Sequence, residues 1–553
     1  MHTDQDLNSL LKENAFFELT EEVVLGKKLS VFKNRPKNLA KLLTSSLNHE
    51  NKLYLLNQNK EISFIEHYEL VTKAIHLLRS KYKIQPGDRI AIYGANSFEW
   101  IIFFWASVSI GAIACALNGW WNGKEAIKAL NDAQPKLLIA DQKRFDRLNS
   151  YKNSDKLITD HFSFTQLVDS DNNFYDADED ECACLLYTSG TTGSPKGVMT
   201  SHRSMISNTM LQLLQGASVS MRSSKLGVDW TKNAPKTLLT SPLFHVSGLS
   251  AGAVTSLFAG TSTFLYEGKF SAKAIIGIIE KFKITSWGGA VPTALRRVVN
   301  FAQNKAYDLT SMLVIGGGGA PIPEKLIKKT KLVFPNVKHN FGYGYGLTES
   351  GAITIINWGD PMDKHPTSPG QPMPTIEIEL RDNDGDVITS DNVEGEIFVR
   401  SPSVMLGYYN KPSETKKVLS TNRFLKTGDF GYISNGLFYI SSRRTDLILR
   451  GGENVYPQEI ELLLDVHDKV TESAVVGVPN KDLGQEVKAY VVMKDLDVNL
   501  KDLENYLKEH LAYFKIPTLW EIVQESLPRN ASGKVMKHVL INSKSNNMIN
   551  EDE

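Results

Sequence analysis

A segment rich in hydroxyls and glycines, residues 187–198, concentrates the groups that bind phosphate. It reads YTSGTTGSPKGV and follows the apolar pair Leu185 and Leu186. Glycines let backbone N–H groups approach an anion, the hydroxyls add donors, and Lys196 adds a positive charge. A Walker A loop would end in Gly-Lys-Ser/Thr, whereas here Gly197 follows the lysine, which disfavours an ordinary kinase or ATPase. The segment predicts a loop that closes on the triphosphate of a nucleotide.

Four consecutive glycines, residues 316–319, follow a predicted strand and precede Ala320 and Pro321. Proline occupies the position where the dinucleotide fingerprint needs its last glycine, so the segment does not support NAD binding. Glycines at the carboxyl end of a strand leave the backbone bare, and a flat base or a substrate chain can lie against it. We expect a ligand loop here.

An aromatic, glycine-spaced segment, residues 341–350, reads FGYGYGLTES and combines a ring surface with a hydroxyl and a carboxylate. Tyr345 is a candidate for stacking on a base, while Thr348 and Glu349 are candidates for facing phosphate and Mg²⁺. Further along, Asp429 lies in KTGD, which predicts a tight turn. Its carboxylate could accept hydrogen bonds from both hydroxyls of a ribose.

Two basic residues complete the candidate set. Arg443, in SRRTD, is a candidate partner for Asp429. Lys534 ends the turn-rich segment LPRNASGK near the C-terminus. A single lysine in such a position is usually a solvated surface charge, so only the other motifs give it significance.

The bulk composition narrows the class of protein. The 553 residues predict three to four structural units, and 62 basic residues balance 62 acidic ones, so we expect no nucleic-acid partner. Three cysteines without a second cluster predict neither a disulfide framework nor a metal site, which favours the cytoplasm. The acidic start predicts no export signal, and the apolar stretch 101–117 predicts a buried helix, not a transmembrane segment.

Strands and helices are predicted to alternate through the first two thirds of the chain. Residues 88–93 predict a strand, residues 94–97 a turn with Asn or Ser as the helix N-cap, and the following residues a helix. Repetition of this unit predicts parallel sheets with helices on both faces, an α/β fold. After about residue 370 the pattern changes to short strands typical of antiparallel sheet or a small barrel, and from about residue 441 to a small α+β unit.

Taken in this order, the motifs resemble the adenylate-forming superfamily of acyl-CoA synthetases, luciferases and peptide-synthetase adenylation domains, over nearly the full chain. The resemblance implies a large N-terminal domain, residues 1–441, made of doubly wound α/β subdomains and a small distorted β-barrel. It implies a small mobile α+β domain, residues 442–553, hinged near Thr445. The nucleotide- and coenzyme-binding residues that it implies are Thr188, Ser189, Gly190, Thr191, Thr192, Gly193, Lys196, Gly318, Gly319, Ala320, Pro321, Gly344, Tyr345, Gly346, Thr348, Asp429, Arg443, Gly451 and Gly452.

The resemblance also implies a reaction in two steps. A carboxylic acid attacks ATP to give acyl-AMP and pyrophosphate, and the acyl group then passes to a thiol, that of coenzyme A. The implied catalytic residues are Lys534, Thr188, Lys196, His245 and Glu349, with Glu349 and Thr188 at Mg²⁺. The small domain rotates between the steps, and Thr445, where the family usually has lysine or aspartate, predicts a slower or biased rotation.

The acid is predicted from the segment SPLFHVSG, residues 241–248. Relatives that activate amino acids tend to have aspartate after the phenylalanine, where this chain has His245, so an α-ammonium would lack its partner. Apolar and small residues in the candidate pocket favour a medium- to long-chain fatty acid. An aromatic acid, such as a benzoate or cinnamate, and a ligase that loads a carrier protein remain the alternatives, and transient contact with a membrane stays open.

Overall fold

The computed structural model describes residues 5–148, 151–188, 195–228, 230, 234–303, 305–318, 322–443, 446–450, 453–480, 483–494, 499–530 and 534–542. Side chains are described for these residues except 5, 6, 442, 443, 453, 454, 538 and 542.

The strands of the described residues are short and recur along the whole chain. They are β1 (Leu19–Val24), β2 (Lys27–Phe32), β3 (Leu53–Leu56), β4 (Glu61–Ser63), β5 (Arg89–Tyr93), β6 (Ile113–Ala116), β7 (Leu137–Ala140), β8 (Asp155–Ile158), β9 (Cys182–Thr188), β10 (Lys196–Ser201), β11 (Lys236–Leu239), β12 (Ser262–Leu265), β13 (Ser286–Ala290), β14 (Val314–Gly318), β15 (Phe341–Tyr345), β16 (Ile355–Trp358), β17 (Gln371–Pro372), β18 (Glu377–Arg381), β19 (Gly395–Arg400), β20 (Gly407–Tyr408), β21 (Leu425–Ser434), β22 (Leu437–Arg443), β23 (Ile448–Arg450), β24 (Glu453–Val455), β25 (Val470–Asn480), β26 (Gly484–Met493) and β27 (Leu519–Ile522).

The α-helices alternate with these strands. They are α1 (Gln5–Leu10), α2 (Leu39–Ser45), α3 (Phe64–Ser80), α4 (Phe98–Ser109), α5 (Gly123–Ala133), α6 (Gln142–Phe145), α7 (His202–Lys225), α8 (Val246–Gly248), α9 (Ser256–Ala259), α10 (Ala272–Phe282), α11 (Pro292–Ala302), α12 (Glu324–Val333), α13 (Asp360–Lys364), α14 (Pro412–Val418), α15 (Pro457–Val466), α16 (Leu500–Lys508) and α17 (Lys537–Asn542). A π-helical segment, Leu249–Thr255, joins α8 to α9.

The strands of the described residues form two large sheets and three smaller ones. One large sheet has the order β20-β10-β9-β6-β5-β7-β8, and the other has the order β17-β16-β15-β14-β13-β11-β12-β3-β4. The inner strands of both are parallel, as the alternation of strands and helices predicts. Strands β18, β19, β21 and β22 form an antiparallel sheet, and β23 to β27 form the sheet of the small C-terminal unit. The predicted mixed α/β architecture, with a large N-terminal and a small C-terminal domain, is confirmed.

The apolar stretch 101–117 is not one helix, and this part of the prediction was wrong. Helix α4 ends at Ser109, Gly111 follows with a φ of +78°, and β6 begins at Ile113. Every residue of α4 except Glu99 is buried, as expected for a helix with apolar residues on all sides. Its N-cap is Ser97, whose hydroxyl accepts a hydrogen bond from the backbone of Trp100 at 3.1 Å.

Polar contacts join the small C-terminal unit to helices α11 and α12. Arg296 donates to the carbonyl of Thr471 and lies 3.7 Å from the carboxylate of Asp465. Lys325 pairs with Asp468. Burial raises the pKa of Asp465 to about 6. A rotation of the small domain would have to break these contacts. The predicted pivot, Thr445, lies outside the described residues.

No helix in the part of the chain that the structure describes is long and apolar enough to cross a membrane. The apolar surface is instead buried between sheets and helices. The largest side chains with almost no exposure include Trp105 of α4 and Trp287 of β13.

A fully buried histidine predicts an acid-sensitive fold. His67 of α3 packs edge-on against Tyr54, and neither of its ring nitrogens has a hydrogen-bond partner among the described residues. Burial lowers the pKa of His67 to about 3. The folded state therefore loses stability as pH falls below about 6.5, the pKa in the unfolded chain, towards 3.

We expect His67→Leu to stabilise the protein by about 1–2 kcal/mol at pH 7.5, because it removes buried polar atoms without partners. The gain should grow by up to about 1.4 kcal/mol per pH unit below pH 6. Urea midpoints at pH 7.5 and 5.0 measure this. His76→Leu, at a partly exposed position of the same helix, is the control. Equal pH dependence in wild type and His67→Leu would contradict the assignment.

Candidate functional site

Strands β9 and β10 hold the two ends of the predicted phosphate loop side by side. Thr188 ends β9, Lys196 begins β10, and the two are direct partners in an antiparallel pair. The side chains of partners in such a pair lie on the same face of the sheet. The residues between them that were predicted to bind phosphate, Ser189, Gly190, Thr191, Thr192 and Gly193, lie outside the described residues.

Lys196 already has an anionic partner, which the sequence did not predict. Its ammonium lies 2.8 Å from Oε2 of Glu414, on α14, and 5.1 Å from the centre of the Tyr408 ring. Hydrogen bonding by Lys196 lowers the pKa of Glu414 to about 2. The carboxylate is therefore ionised throughout the physiological pH range.

Tyr408 links this lysine to the candidate metal-binding carboxylate. Its hydroxyl donates to Oε1 of Glu349 at 3.0 Å. Glu349 lies in the short helical turn Thr348–Ser350, directly after β15. The backbone N–H of Met405, just before β20, donates to the carbonyl of Glu349 at 2.9 Å. The structure thus brings Lys196 and Glu349, predicted from separate motifs, to one tyrosine, the lysine over its ring and the carboxylate at its hydroxyl.

The turn that carries Glu349 depends on a close approach of backbone. A Cβ on Gly346 would lie 1.6 Å from the carbonyl oxygen of Ala352, so only glycine fits there. The hydroxyl of Ser350 accepts from the N–H of Leu347 at 3.1 Å and closes the turn. These contacts fix Thr348 and Glu349 at the end of β15.

Two residues that were predicted to bind the nucleoside, Tyr345 and Asp429, also contact each other. The hydroxyl of Tyr345 donates to Oδ2 of Asp429 at 2.7 Å, and Asp429 is only 4% exposed. The predicted tight turn around Asp429 was wrong, because Asp429 lies inside β21. Gly428, with a φ of +74°, and a register shift after Phe430 bend the strand there. Arg443 is the cross-strand partner of Asp429, and its side chain is not described.

The first three glycines of the run continue the strand, where the sequence predicted that a loop had begun. Gly316, Gly317 and Gly318 are the last residues of β14, and Gly318 pairs with Gly344 of β15. Together the two strands present bare backbone at the carboxyl edge of the parallel sheet, where ligands bind in open α/β sheets. The other residues predicted here, Gly319, Ala320 and Pro321, lie outside the described residues.

His245 lies at the start of α8, on the loop that follows β11. Burial lowers the pKa of His245, so its ring is neutral at physiological pH. Its neighbour Phe244 is buried and meets the ring of Trp120 edge-on, with ring centres 6.4 Å apart. The π-helical segment begins four residues after His245. Such segments are frequent at functional sites because they displace side chains from regular helical positions.

Asn96 fixes the His245 loop in place, a role that the sequence did not reveal. Its amide donates to the carbonyl of Ser241 at 2.9 Å and accepts from the N–H of Leu243 at 2.8 Å. The turn after β5 of one large sheet thereby holds the loop after β11 of the other. The side chain of Asn96 can make both hydrogen bonds because Ser97, and not Asn96, is the N-cap of α4.

Lys534 is hydrogen-bonded to Asn530 across residues 531–533, which lie outside the described residues. Its backbone N–H donates to the side chain of Asn530 and its carbonyl accepts from the N–H of Asn530, both at 2.9 Å. Arg529, next to Asn530, pairs with Glu472 at 2.9 Å. The predicted Gly451 and Gly452 lie outside the described residues.

The site offers one carboxylate for a divalent cation. Among the described residues no group of three or more His, Cys, Asp or Glu side chains could hold a metal ion. Mg²⁺ needs no such cage when it arrives with a nucleotide, because one or two carboxylates, water and phosphate oxygens suffice. Glu349, which accepts a hydrogen bond from Tyr408, supplies one such carboxylate.

Comparisons with known proteins identify a family that the chain matches. Residues 44–409 match the family described as AMP-binding enzyme, and residues 459–534 match the AMP-binding enzyme C-terminal domain. A long-chain-fatty-acid–CoA ligase of Bacillus subtilis is 30% identical, over 92% of this chain and 95% of its own. A 2-succinylbenzoate–CoA ligase of Bacillus velezensis is 33% identical, over 88% and 94%. The o-succinylbenzoate CoA synthetase of Bacillus subtilis, solved with its acyl-adenylate, is 28% identical over 90% and 97%, with a TM-score of 0.75.

Proposed function

The chain belongs to the family of AMP-binding enzymes, and we propose that it activates a medium- to long-chain fatty acid with ATP and transfers the acyl group to coenzyme A. The resemblance drawn from the motifs is thereby confirmed, and the chain is an ATP-dependent, AMP-forming acyl- or aryl-CoA ligase. The class of acid is the finer part of the proposal, since the relatives include ligases of a fatty acid and of an aromatic acid.

The observation that carries the proposed mechanism is the connection of Lys196, Tyr408 and Glu349. A carboxylate and a triphosphate repel each other, so the enzyme has to offset negative charge before they react. Lys196 and the loop beyond it would face the departing pyrophosphate, and Glu349 with Thr188 would hold Mg²⁺. Bound there, Mg²⁺ supplies charge neutralisation of the phosphate oxygens.

On the nucleoside side, Asp429 and Tyr345 are proposed to hold ribose and base. Tyr345 donates to one carboxylate oxygen of Asp429, which fixes the orientation of that carboxylate. An ionised carboxylate has lone pairs for further donors, such as the two hydroxyls of a ribose. We propose that an adenine lies against the ring of Tyr345, one residue beyond Gly344.

Two bond exchanges make up the reaction. A carboxylate oxygen of the acid attacks the α-phosphorus, the bond from that phosphorus to the bridging oxygen breaks, and pyrophosphate leaves. The thiol of coenzyme A then releases its proton to water, its sulfur attacks the acyl carbon, and AMP leaves with the electrons of the broken C–O bond. We propose that Lys534 orients the carboxylate against the α-phosphate in the first step and withdraws for the second.

The choice of a fatty acid rests on the surroundings of His245. A neutral histidine cannot pair with the ammonium of an amino acid, which would then be buried without a counter-ion. Phe244 and Leu249 are buried apolar neighbours, and a Cβ on Gly288 of β13 would meet open space. These features suit an alkyl chain. The 2-succinylbenzoate ligase at 33% identity makes an aromatic acid the second candidate.

An acid panel tests the choice. With ATP, Mg²⁺ and coenzyme A, we expect dodecanoate and hexadecanoate to release pyrophosphate at least about tenfold faster than benzoate, cinnamate or 2-succinylbenzoate, because a pocket gains about 1–3 kcal/mol for each methylene it accommodates. Omission of coenzyme A should stop turnover after the acyl-adenylate. Faster turnover with an aromatic acid would overturn the choice of acid, and turnover only with a carrier protein would overturn the acceptor.

A further inference from the structure

Glu414 is placed to compete with phosphate for Lys196. Its two oxygens bind two lysines: Oε2 lies 2.8 Å from Nζ of Lys196, and Oε1 lies 2.5 Å from Nζ of Lys417. The side chain of Lys196 is 15% exposed and that of Lys417 is 69% exposed. Of the two ion pairs, the one with Lys196 is thus the better shielded from water. A shielded ion pair is screened less by salt than an exposed one.

The backbone of Glu414 is held by contacts other than the ion pairs of its side chain. The next residue, Thr415, accepts from the backbone N–H of Tyr408 through its hydroxyl at 2.8 Å, and its own N–H donates to the carbonyl of Lys411 at 3.0 Å. Helix α14 is thereby fixed to β20, which pairs with the strand that carries Lys196. The fold therefore places the backbone of Glu414 beside the strand that carries Lys196.

From this geometry we propose that Glu414 is a positioning residue that holds Lys196 in the nucleotide-free enzyme and lowers its affinity for pyrophosphate, so that the product leaves readily. The inference rests on the proposed role of Lys196 at the pyrophosphate. The lysine ammonium has three donors and can contact both anions. A carboxylate 2.8 Å from that ammonium nevertheless offsets part of its charge, so less of that charge acts on the incoming phosphates.

Direct binding of inorganic pyrophosphate, measured by isothermal titration calorimetry, tests this inference. We expect Glu414→Gln to bind pyrophosphate about threefold to fivefold more tightly than wild type, the size of a partly exposed ion pair. Lys196→Met should bind it more weakly, and adding Glu414→Gln to Lys196→Met should change nothing further. The conservative variant Glu414→Asp should restore affinity towards the wild-type value.

A matched control distinguishes loss of the Lys196–Glu414 ion pair from a general change of charge near the site. Lys417→Met removes the other partner of Glu414, on an exposed side chain, and should alter pyrophosphate affinity by less than about twofold. A purely structural role for Glu414 would lower the thermal midpoint of Glu414→Gln without tighter binding.

Three results would overturn the inference: unchanged or weaker binding by Glu414→Gln, equal tightening in the Lys196→Met background, or equal tightening by Lys417→Met. Exchange of labelled pyrophosphate into ATP by the wild-type enzyme, with hexadecanoate present, distinguishes this failure from that of the proposed function. If labelled pyrophosphate exchanges into ATP but Glu414→Gln does not bind pyrophosphate more tightly, only the inference about Glu414 is refuted. Absence of exchange would refute the proposed function.

Discussion

Replacement of Lys534 by alanine will slow acyl-adenylate formation by a factor of about 10² to 10³, the usual loss when one donor to a developing charge is removed. Formation of the thioester from acyl-adenylate supplied in solution should persist, because the lysine is proposed to act only before pyrophosphate leaves. The backbone of Lys534 makes the contacts to Asn530, and alanine keeps them. Pyrophosphate release and thioester formation, measured separately, give the two rates.

The control for this substitution is Lys537→Ala. Lys537 lies in the same domain three residues later, on α17, and pairs with Glu461 at 2.7 Å. Its loss should leave both half-reactions within about twofold of wild type. If Lys534→Ala slowed both halves equally, the lysine would not be specific to adenylation and the proposed role would be wrong.

The substitution Glu349→Gln is expected to lower kcat/KM for ATP by about 10² to 10³. Glutamine has nearly the same shape and can still accept the hydrogen bond of Tyr408, so the turn should keep its structure while the negative charge is lost. Because that charge is proposed to hold Mg²⁺, the concentration of Mg²⁺ needed for half-maximal activity should rise. Binding of Mn²⁺ in the presence of ATP, followed by electron paramagnetic resonance, should weaken in parallel.

Tyr408→Phe is the matched comparison for Glu349→Gln. It keeps the carboxylate and the ring beside Lys196, and removes only the hydroxyl that donates to Glu349. We expect a loss of about tenfold, smaller than that of Glu349→Gln, because one hydrogen bond to a charged group is lost. A Glu349→Gln enzyme within threefold of wild type would exclude the proposed role of the carboxylate.

The motifs allowed the chemistry to be predicted, but their local conformations came out differently. Glycine and aspartate in short runs are typical of turns, so the residues around Gly316 and Asp429 were predicted as loop and turn. Both lie in strands, because pairing of β14 with β15 and of β21 with β19 and β22 overrides local preference. The stretch 101–117 was likewise predicted as one helix, since composition alone does not show that Gly111 ends it.

The residues that sequence reasoning missed are those that act on another residue across a large separation. Glu414 lies 218 residues from Lys196 and Asn96 lies 145 from Ser241, so no local spacing links either pair. Tyr408 gives no chemical signal of its own, and its role follows only from Lys196 at its ring and Glu349 at its hydroxyl. Such contacts are set by the pairing and packing of elements that are far apart in the chain, which a single sequence does not specify.

The chemistry of the first step is the central claim, and detection of its product tests it most directly. The purified enzyme, incubated with ATP, Mg²⁺ and hexadecanoate but without coenzyme A, should form the mixed anhydride of the acid with AMP, in equal amount to pyrophosphate, as seen by mass spectrometry. Formation of ADP and inorganic phosphate, or pyrophosphate release without the anhydride, would contradict the claim.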